Sequence, residues 1–248
     1  MEIRQVLPKV ERFSKQLKEI KSNLAPPSFW YPYGSLSNFQ ILEQFLTGRN
    51  RDLAELAGGA PIADVGAADG DVAFFLESQG FTVDIVDNGP TNNNGLAGAR
   101  KLKEALRSQV AIHEVDLDSQ FQLPRKSYGL ILFLGILYHL QNPFYALKEL
   151  AKSTRYALIS TRIARGTADR QVLFEQVPIA YLLGPTECNN DSTNYWIFSY
   201  AGLNRILERT NWEVLDAGRF GSTGYSDPAS GDGDERAFLL VRSRVFGG

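Results

Sequence analysis

The chain is poor in cysteine, has no strong excess of charge and lacks a long apolar run. Cys188 is the one cysteine among 248 residues, which excludes internal disulfides and a multi-cysteine zinc site and predicts a reducing compartment, the cytoplasm. No metal site is expected. The formal charge of −2 disfavours nucleic acid and anionic membranes as partners, although it leaves a local basic patch open. The most apolar run, residues 129–140, is too short to cross a bilayer.

After residue 60, strand-like and helix-like patterns alternate, which predicts a parallel sheet with helices on both faces. The five segments that we interpret as strands are residues 61–65, 81–87, 110–116, 130–134 and 156–161. Two later runs, residues 212–220 and 235–245, have no helical pattern between them. They are predicted to form a hairpin, so that the last strand runs antiparallel to the others.

The chain is expected to divide into an N-terminal helical extension, residues 1–48, and one α/β domain, residues 49–248. Within that domain, about 35 residues between the fifth strand and the last helix are predicted to form an insertion at 163–198. The oligomeric state is left open.

Apolar residues at helical spacing predict a helix over residues 1–24, in which Pro8 marks the helix start and the basic residues form a solvated face. A connector rich in proline and aromatic residues follows. Its Trp30, Tyr31 and Tyr33 either form a lid over a ligand pocket or pack as a small core beside the sheet.

The stretch "DVGAADGD", residues 64–71, follows the first predicted strand. Gly66 permits a tight turn and Gly70 permits close packing of helix against strand. Asp69 and Asp71 at the helix start would repel a pyrophosphate. The spacing is Gly-x-x-x-Gly rather than Gly-x-Gly-x-x-Gly, which disfavours a nicotinamide-dependent oxidoreductase. The loop therefore suits a ligand without phosphate, such as S-adenosylmethionine.

Acidic residues also end the next two predicted strands. Asp87 ends the second strand, where a carboxylate can accept both ribose hydroxyls of a nucleoside. The third strand ends in "EVDLD", residues 114–118, where Asp116 or Asp118 is expected to accept a hydrogen bond from the adenine amino group.

Four motifs in this order, "DVGAADG", "VDIVD", "EVDLD" and "LFLGILYHLQNPFYALKEL", resemble the class I S-adenosylmethionine-dependent methyltransferases over about residues 36–245. The resemblance implies a Rossmann-like, seven-stranded, mostly parallel sheet whose last strand is antiparallel. The stretch "LGILYHLQNP" looks most like the branch that contains the tRNA wobble-uridine carboxymethyltransferases. Ala68 stands where the family loop usually has its middle glycine.

The resemblance also implies a set of cofactor-binding residues. The loop would hold the methionine part with Asp64, Gly66, Ala68 and Gly70, the ribose would lie at Asp87 and Asn88, the adenine at Asp116 and Leu117, and the reactive end near Leu134 and Tyr138. Ala67, Asp69 and Asp118 are further candidates for contact with the cofactor.

His139 is the candidate general base for a hydroxyl acceptor, or else a structural residue that holds its loop. Tyr138 is expected to touch cofactor or substrate, or else to pack in the core. The candidate substrate-binding residues are Tyr33, Arg162, Asn190, Asn194 and Tyr195. Arg162 could instead form an ordinary salt bridge, and the polar residues of the insertion could instead face water without binding substrate.

The sequence thus predicts methyl transfer from S-adenosylmethionine to a small polar acceptor. The tRNA carboxymethyl enzymes carry a Lys-Gly-Pro-Phe stretch before the sheet, whereas this chain has "APPSFWYPYG" without lysine. Modification of a tRNA wobble uridine is therefore the second hypothesis. A non-catalytic protein on a methyltransferase fold is the third.

Overall fold

The computed structural model describes residues 1–119 and 121–247, and it forms seven α-helices and nine β-strands there. Contacts divide the chain into two compact units. Unit 1 comprises residues 1–116 and 120–132, and unit 2 comprises residues 117–119 and 133–248. Strand β4 (Tyr128–Leu134) begins in unit 1 and ends in unit 2.

Unit 1 is built on four parallel strands in the order β3, β2, β1, β4. β1 (Ile62–Val65) and β2 (Val83–Asp87) are buried along their whole length, as expected for central strands of a parallel sheet. The other elements of unit 1 are α1 (Ile3–Leu24), α2 (Asn38–Phe45), α3 (Leu53–Ala57), α4 (Asp71–Ser78), α5 (Ala97–Leu106) and β3 (Ala111–Glu114). Because neighbouring strands run in the same direction, the loops after β1 and β2 lie at the same edge of the sheet.

The prediction that Pro8 marks the start of the first helix is wrong, because Pro8 lies inside α1. The missing proline N–H leaves the carbonyl of Arg4 without its helical donor. Both residues are exposed, so water can hydrate that carbonyl. Ile3 and Val6, which precede the proline, are buried and start the helix earlier. No helix in the part of the chain that the structure describes is long and apolar enough to span a membrane.

Unit 2 is centred on β5 (Thr154–Ile163), which pairs antiparallel with β9 (Glu235–Ser243). β9 also forms a hairpin with β8 (Trp212–Gly221). The predicted hairpin and the antiparallel direction of the last strand are therefore confirmed. The other elements are α6 (Pro143–Ser153), β6 (Ala180–Leu182), β7 (Trp196–Phe198) and α7 (Tyr200–Arg209).

The predicted fold class is confirmed, since the chain forms a mixed α/β sheet of mostly parallel strands with helices around it and a helix at its N-terminal end. The structure adds two strands to the seven expected, β6 and β7, within the predicted insertion. Three residues are too few to show the alternation by which a strand is recognised in a sequence. The division into residues 1–48 and 49–248 stays a prediction.

Gly129 on β4 offers a test of the packing in unit 1. A Cβ at this position would lie 1.8 Å from the carbonyl oxygen of Ala57 at the end of α3. We expect Gly129→Ala to lower the free energy of unfolding by about 1–3 kcal/mol, as overpacking does. Gly34→Ala is the control, because a Cβ there meets nothing within 4 Å. Urea unfolding measures both, and equal stabilities of the two variants would contradict the packing.

Candidate functional site

The glycine loop, residues 66–70, leaves β1 as a tight turn. Gly66, Ala68 and Gly70 have positive φ angles of 72°, 56° and 83°. A Cβ at Gly70 would lie 2.6 Å from Cδ1 of Ile85 on β2, so the predicted close packing at Gly70 is confirmed. Ala68 adopts the left-handed conformation despite its Cβ, which costs about 1–2 kcal/mol.

Asp64 on β1 is a buried carboxyl that lacks a full set of partners. Its Oδ2 has no hydrogen-bond partner among the described residues, and the side chain is 5% exposed. Burial, with the nearby charges of Asp87 and Asp71, raises the pKa of Asp64 to about 7. A cationic group beside this carboxyl would satisfy the free oxygen and lower the pKa again.

Asp87 at the end of β2 joins the two loops at this edge of the sheet. Its Oδ2 accepts from the backbone N–H of Ala68 at 3.0 Å and from Nδ2 of Asn92 at 3.2 Å. Its Oδ1 accepts from the N–H of Asn88 at 2.8 Å. Burial raises the pKa of this carboxyl too. The expected ribose contacts of Asp87 and Asn88 stay predictions.

The two acids at the start of α4 share one lysine. Nζ of Lys21, on α1, lies 3.1 Å from Oδ2 of Asp69 and 3.0 Å from Oδ2 of Asp71. The prediction that the basic residues of the first helix are a solvated face is therefore wrong for Lys21. One ammonium against two carboxylates leaves this side of the glycine loop negative, which suits a cationic ligand and not a pyrophosphate. Direct cofactor contact by Asp69 stays a prediction.

Asp118, one of the residues expected at the adenine, has hydrogen bonds within the protein. In unit 2, the carboxylate of Asp118 accepts from the backbone N–H groups of Gln141 at 3.0 Å and Asn142 at 2.8 Å. These bonds fix the start of α6, where Asn142 is the N-cap residue before Pro143. The adenine contacts of Asp116, Leu117 and Asp118, and the contact of Leu134 at the end of β4, stay predictions.

His139 follows β4 in unit 2 and is held by Thr193. Its Nδ1 lies 3.1 Å from the carbonyl oxygen and 3.1 Å from Oγ1 of Thr193. Oγ1 donates its own hydrogen to Oδ1 of Asp191 at 2.6 Å, so it accepts from the imidazole. Burial holds the pKa of His139 below its usual value. Sequence reasoning missed Thr193, because nothing local to it marks it as the partner of a residue so distant along the chain.

Tyr138, next to His139, is bonded to an arginine that sequence reasoning also missed. Nη1 of Arg236 on β9 donates to the Tyr138 hydroxyl at 3.3 Å, and the guanidinium lies 5.6 Å from the centre of the ring. The rings of Tyr138 and His139 are 4.3 Å apart. The pairing depends on how the hairpin of β8 and β9 folds back, which no local pattern reports.

The predicted substrate-binding residues occupy different environments. Arg162 is 2% exposed and donates to Sγ of Cys188 at 3.1 Å and to the carbonyls of Asp227 at 3.1 Å and Ser230 at 2.7 Å. Asn194 is buried and donates to the carbonyl of Cys188.

The remaining candidates are more accessible. The hydroxyl of Tyr195 accepts from Nε2 of Gln141 at 3.2 Å. In unit 1, Tyr33 is 73% exposed, and in unit 2 Asn190 is exposed. The substrate roles of Tyr33, Arg162, Asn190, Asn194 and Tyr195 stay predictions.

Replacing Asp64 by Asn should change how the stability of the cofactor-free protein depends on pH. A carboxyl whose pKa rises from 3.8 to about 7 on folding binds its proton more tightly in the folded chain. Its contribution to stability therefore falls as the pH rises through this window. We therefore compare the free energy of unfolding of Asp64→Asn with that of the wild type at two pH values. This difference should be about 2 kcal/mol more favourable to the variant at pH 8 than at pH 5. Urea unfolding at the two pH values measures the gain.

Asp232→Asn, at an exposed aspartate, serves as the control and should show no such gain. A difference between Asp64→Asn and the wild type that does not change with pH would contradict the buried, proton-binding state of Asp64.

Comparisons with known proteins place the chain in a family. A model of the methyltransferase domain matches residues 39–217. No curated protein matches the chain. The N-terminal domain of EvdMO1, solved with S-adenosylhomocysteine bound, is similar at a TM-score of 0.57 and 18% identity, over 94% of this chain and 97% of that one.

Two further solved structures are similar in fold. The same EvdMO1 domain in the presence of S-adenosylhomocysteine and D-fucose gives a TM-score of 0.55 and 16% identity, over 94% of this chain and 97% of that one. TehB from Haemophilus influenzae is similar at a TM-score of 0.52 and 19% identity, over 77% of this chain and 60% of that one. None of these matches assigns the chain to the branch that contains the tRNA wobble-uridine carboxymethyltransferases. The chain belongs to the methyltransferase domain family, and it is a class I methyltransferase whose cofactor is S-adenosylmethionine.

Proposed function

We propose that the chain methylates a small polar acceptor in the cytoplasm, and that His139 takes the proton which the acceptor loses. The bonding of His139 carries this proposal. A carbonyl only accepts, so the bond to Thr193 places the hydrogen of the neutral ring on Nδ1. The lone pair then lies on Nε2, which has no hydrogen-bond partner among the described residues. A lowered pKa keeps the ring neutral near pH 7, as a general base requires.

The groups of unit 1 fit the cofactor by charge. When bound, S-adenosylmethionine supplies a methyl group on a positively charged sulfur, which a nucleophile can attack directly. Asp64 offers a buried oxygen without a partner to a cationic group. Gly66 leaves room for close approach, and Asp87 accepts hydroxyl hydrogens. The surplus negative charge of Asp69 and Asp71 over Lys21 favours a ligand that carries positive charge.

The acceptor class is inferred from unit 2. Three buried polar atoms lack a hydrogen-bond partner among the described residues, namely Nε of Arg162, Oδ1 of Asn194 and Oδ1 of Asp234. Nε of Arg162 lies 3.7 Å from Oδ1 of Asp234, which is too far for a good hydrogen bond. A hydroxyl both donates and accepts, so a molecule rich in hydroxyls complements one donor and two acceptors. A similar structure solved in the presence of D-fucose supports this class.

Transfer of a labelled methyl group tests the acceptor class. The purified protein is incubated with methyl-labelled S-adenosylmethionine and with either the small-molecule fraction or the total tRNA of a cell extract. We expect label in small molecules, in a product that nuclease treatment does not alter. Label that enters tRNA and is released by nuclease would overturn the proposal in favour of wobble-uridine modification.

His139→Gln should separate binding from catalysis. We expect calorimetry to give wild-type affinity for S-adenosylhomocysteine, while methyl transfer to the acceptor falls by about 10²–10⁴-fold, the usual contribution of a general base. Since the base is active when neutral, the wild-type rate should rise with pH through a pKa below the usual histidine value and stay level above it. His113→Gln, at the other histidine, is the control. A His139→Gln variant with unchanged rate would leave this residue a structural role only.

A further inference from the structure

Residues 29–31, between α1 and α2, form a short segment that we name the clasp. Both loops at the ligand-binding edge of unit 1 bind it. Asp69 of the glycine loop accepts from the backbone N–H of Tyr31 at 3.0 Å. From the loop after β2, Nδ2 of Asn94 donates to the carbonyl of Phe29 at 3.2 Å, and the N–H of Asn93 donates to the Tyr31 hydroxyl at 2.9 Å. Ligands of parallel sheets bind at the carboxyl ends of such strands, so the clasp lies at that edge.

The carboxylate of Asp69 uses its hydrogen bonds within the protein to bind the clasp and its neighbours. It is 2% exposed and accepts from Nζ of Lys21, from the N–H of Tyr31 and from Nδ2 of Asn94. A Cβ at position 98 on α5 would lie 2.2 Å from its Oδ1, so Gly98 is needed to make room for it. Charge-assisted bonds of this kind are stronger than neutral ones and fix the geometry of the segment they bind.

Helix α1 also binds the clasp. Nε1 of Trp30 donates to the carbonyl of Lys21 at 3.2 Å, and Nζ of the same lysine lies 5.3 Å from the centre of the Trp30 ring. Trp30 is 8% exposed. The lysine therefore contacts both the clasp and the carboxylate that holds the clasp.

The Tyr31 hydroxyl retains an unused hydrogen. It accepts from Asn93, but among the described residues no acceptor takes its own hydrogen. Burial and the nearby charges of Asp87 and Asp69 raise the pKa of Tyr31 to about 12, so the hydroxyl stays protonated near neutral pH. A hydroxyl that stays protonated, half-buried and near the candidate ribose carboxylate, is suited to donate to a ligand.

We propose that Tyr31 is a cofactor-binding residue whose hydroxyl donates a hydrogen bond to S-adenosylmethionine, and that Asp69 is a positioning residue which holds Tyr31 in place. This assignment rests on the cofactor of the family. It gives Asp69 an indirect role in place of the predicted contact with the cofactor. It also makes the N-terminal helix part of the cofactor site.

Calorimetric titration of S-adenosylhomocysteine tests the role of Tyr31. We expect Tyr31→Phe to bind about 10-fold more weakly than the wild type, the usual effect of one lost hydrogen bond. Tyr145→Phe is the matched control, because it changes an exposed tyrosine on α6 that belongs to no candidate site, and it should bind as the wild type does. Asp87→Ala should show no binding. Wild-type affinity in Tyr31→Phe would overturn the assignment.

Hydrogen exchange over residues 25–35 tests the role of Asp69. We expect S-adenosylhomocysteine to slow exchange there in the wild type. In Asp69→Asn this segment should exchange faster with and without ligand, and the affinity should fall. Wild-type exchange and affinity in Asp69→Asn would overturn the positioning role. Should that variant fail to fold, Lys21→Met, which removes one donor, replaces it with the same expected outcomes.

Failure of this inference can be told from failure of the cofactor assignment. A wild-type chain that binds neither S-adenosylmethionine nor S-adenosylhomocysteine would contradict the cofactor itself and the inference with it. A wild type that binds, with Tyr31→Phe unaffected, would contradict the inference alone.

Discussion

The edge of unit 1 at which we propose that the cofactor binds depends on one buried carboxylate, that of Asp69. A buried charge is tolerated only when it is paired and hydrogen-bonded, and the three donors of Asp69 come from three separate segments. If α1, the clasp or the loop after β2 moved away, part of that charge would lose its partners. The network therefore keeps the segments together, and the N-terminal helix is as much a part of this edge as the glycine loop.

Much of the fold could be predicted because its signals are local. β1 and β2 are short, mainly apolar segments that are buried along their whole length, and the turn between β1 and α4 has glycine at two of its positive-φ positions. Lys21 shows where local signals end. In the sequence, nothing distinguishes it from Lys15 and Lys18 of the same helix, which are exposed. Its partners Asp69 and Asp71 lie 48 and 50 residues further along the chain. Only the packing of α1 against α4 and the clasp reveals its role.

The candidate site was predictable to the same extent. Asp64, Asp87 and His139 could be chosen because each lies in or just after a strand, and strand ends are where ligands bind in such sheets. Arg162 follows the same rule at the end of β5, and its guanidinium donates to carbonyls in the loop after β8 while its Nε has no hydrogen-bond partner among the described residues. Arg236 and Thr193 gain their contacts from tertiary pairing alone, for which a single sequence carries no pattern. The sequence offers Tyr31 as a lid or core residue, but its bond to Asn93 also comes from tertiary pairing.

The close fit between Asp69 and Gly98 links two positions that are far apart in sequence. Any side chain at position 98 would collide with the carboxylate at position 69, and removal of the carboxylate would leave Lys21 without one of its partners. Neither position can change alone without loss. Glycine at position 98 is therefore a condition for the carboxylate at position 69, and a larger residue there would require the clasp to be held in another way.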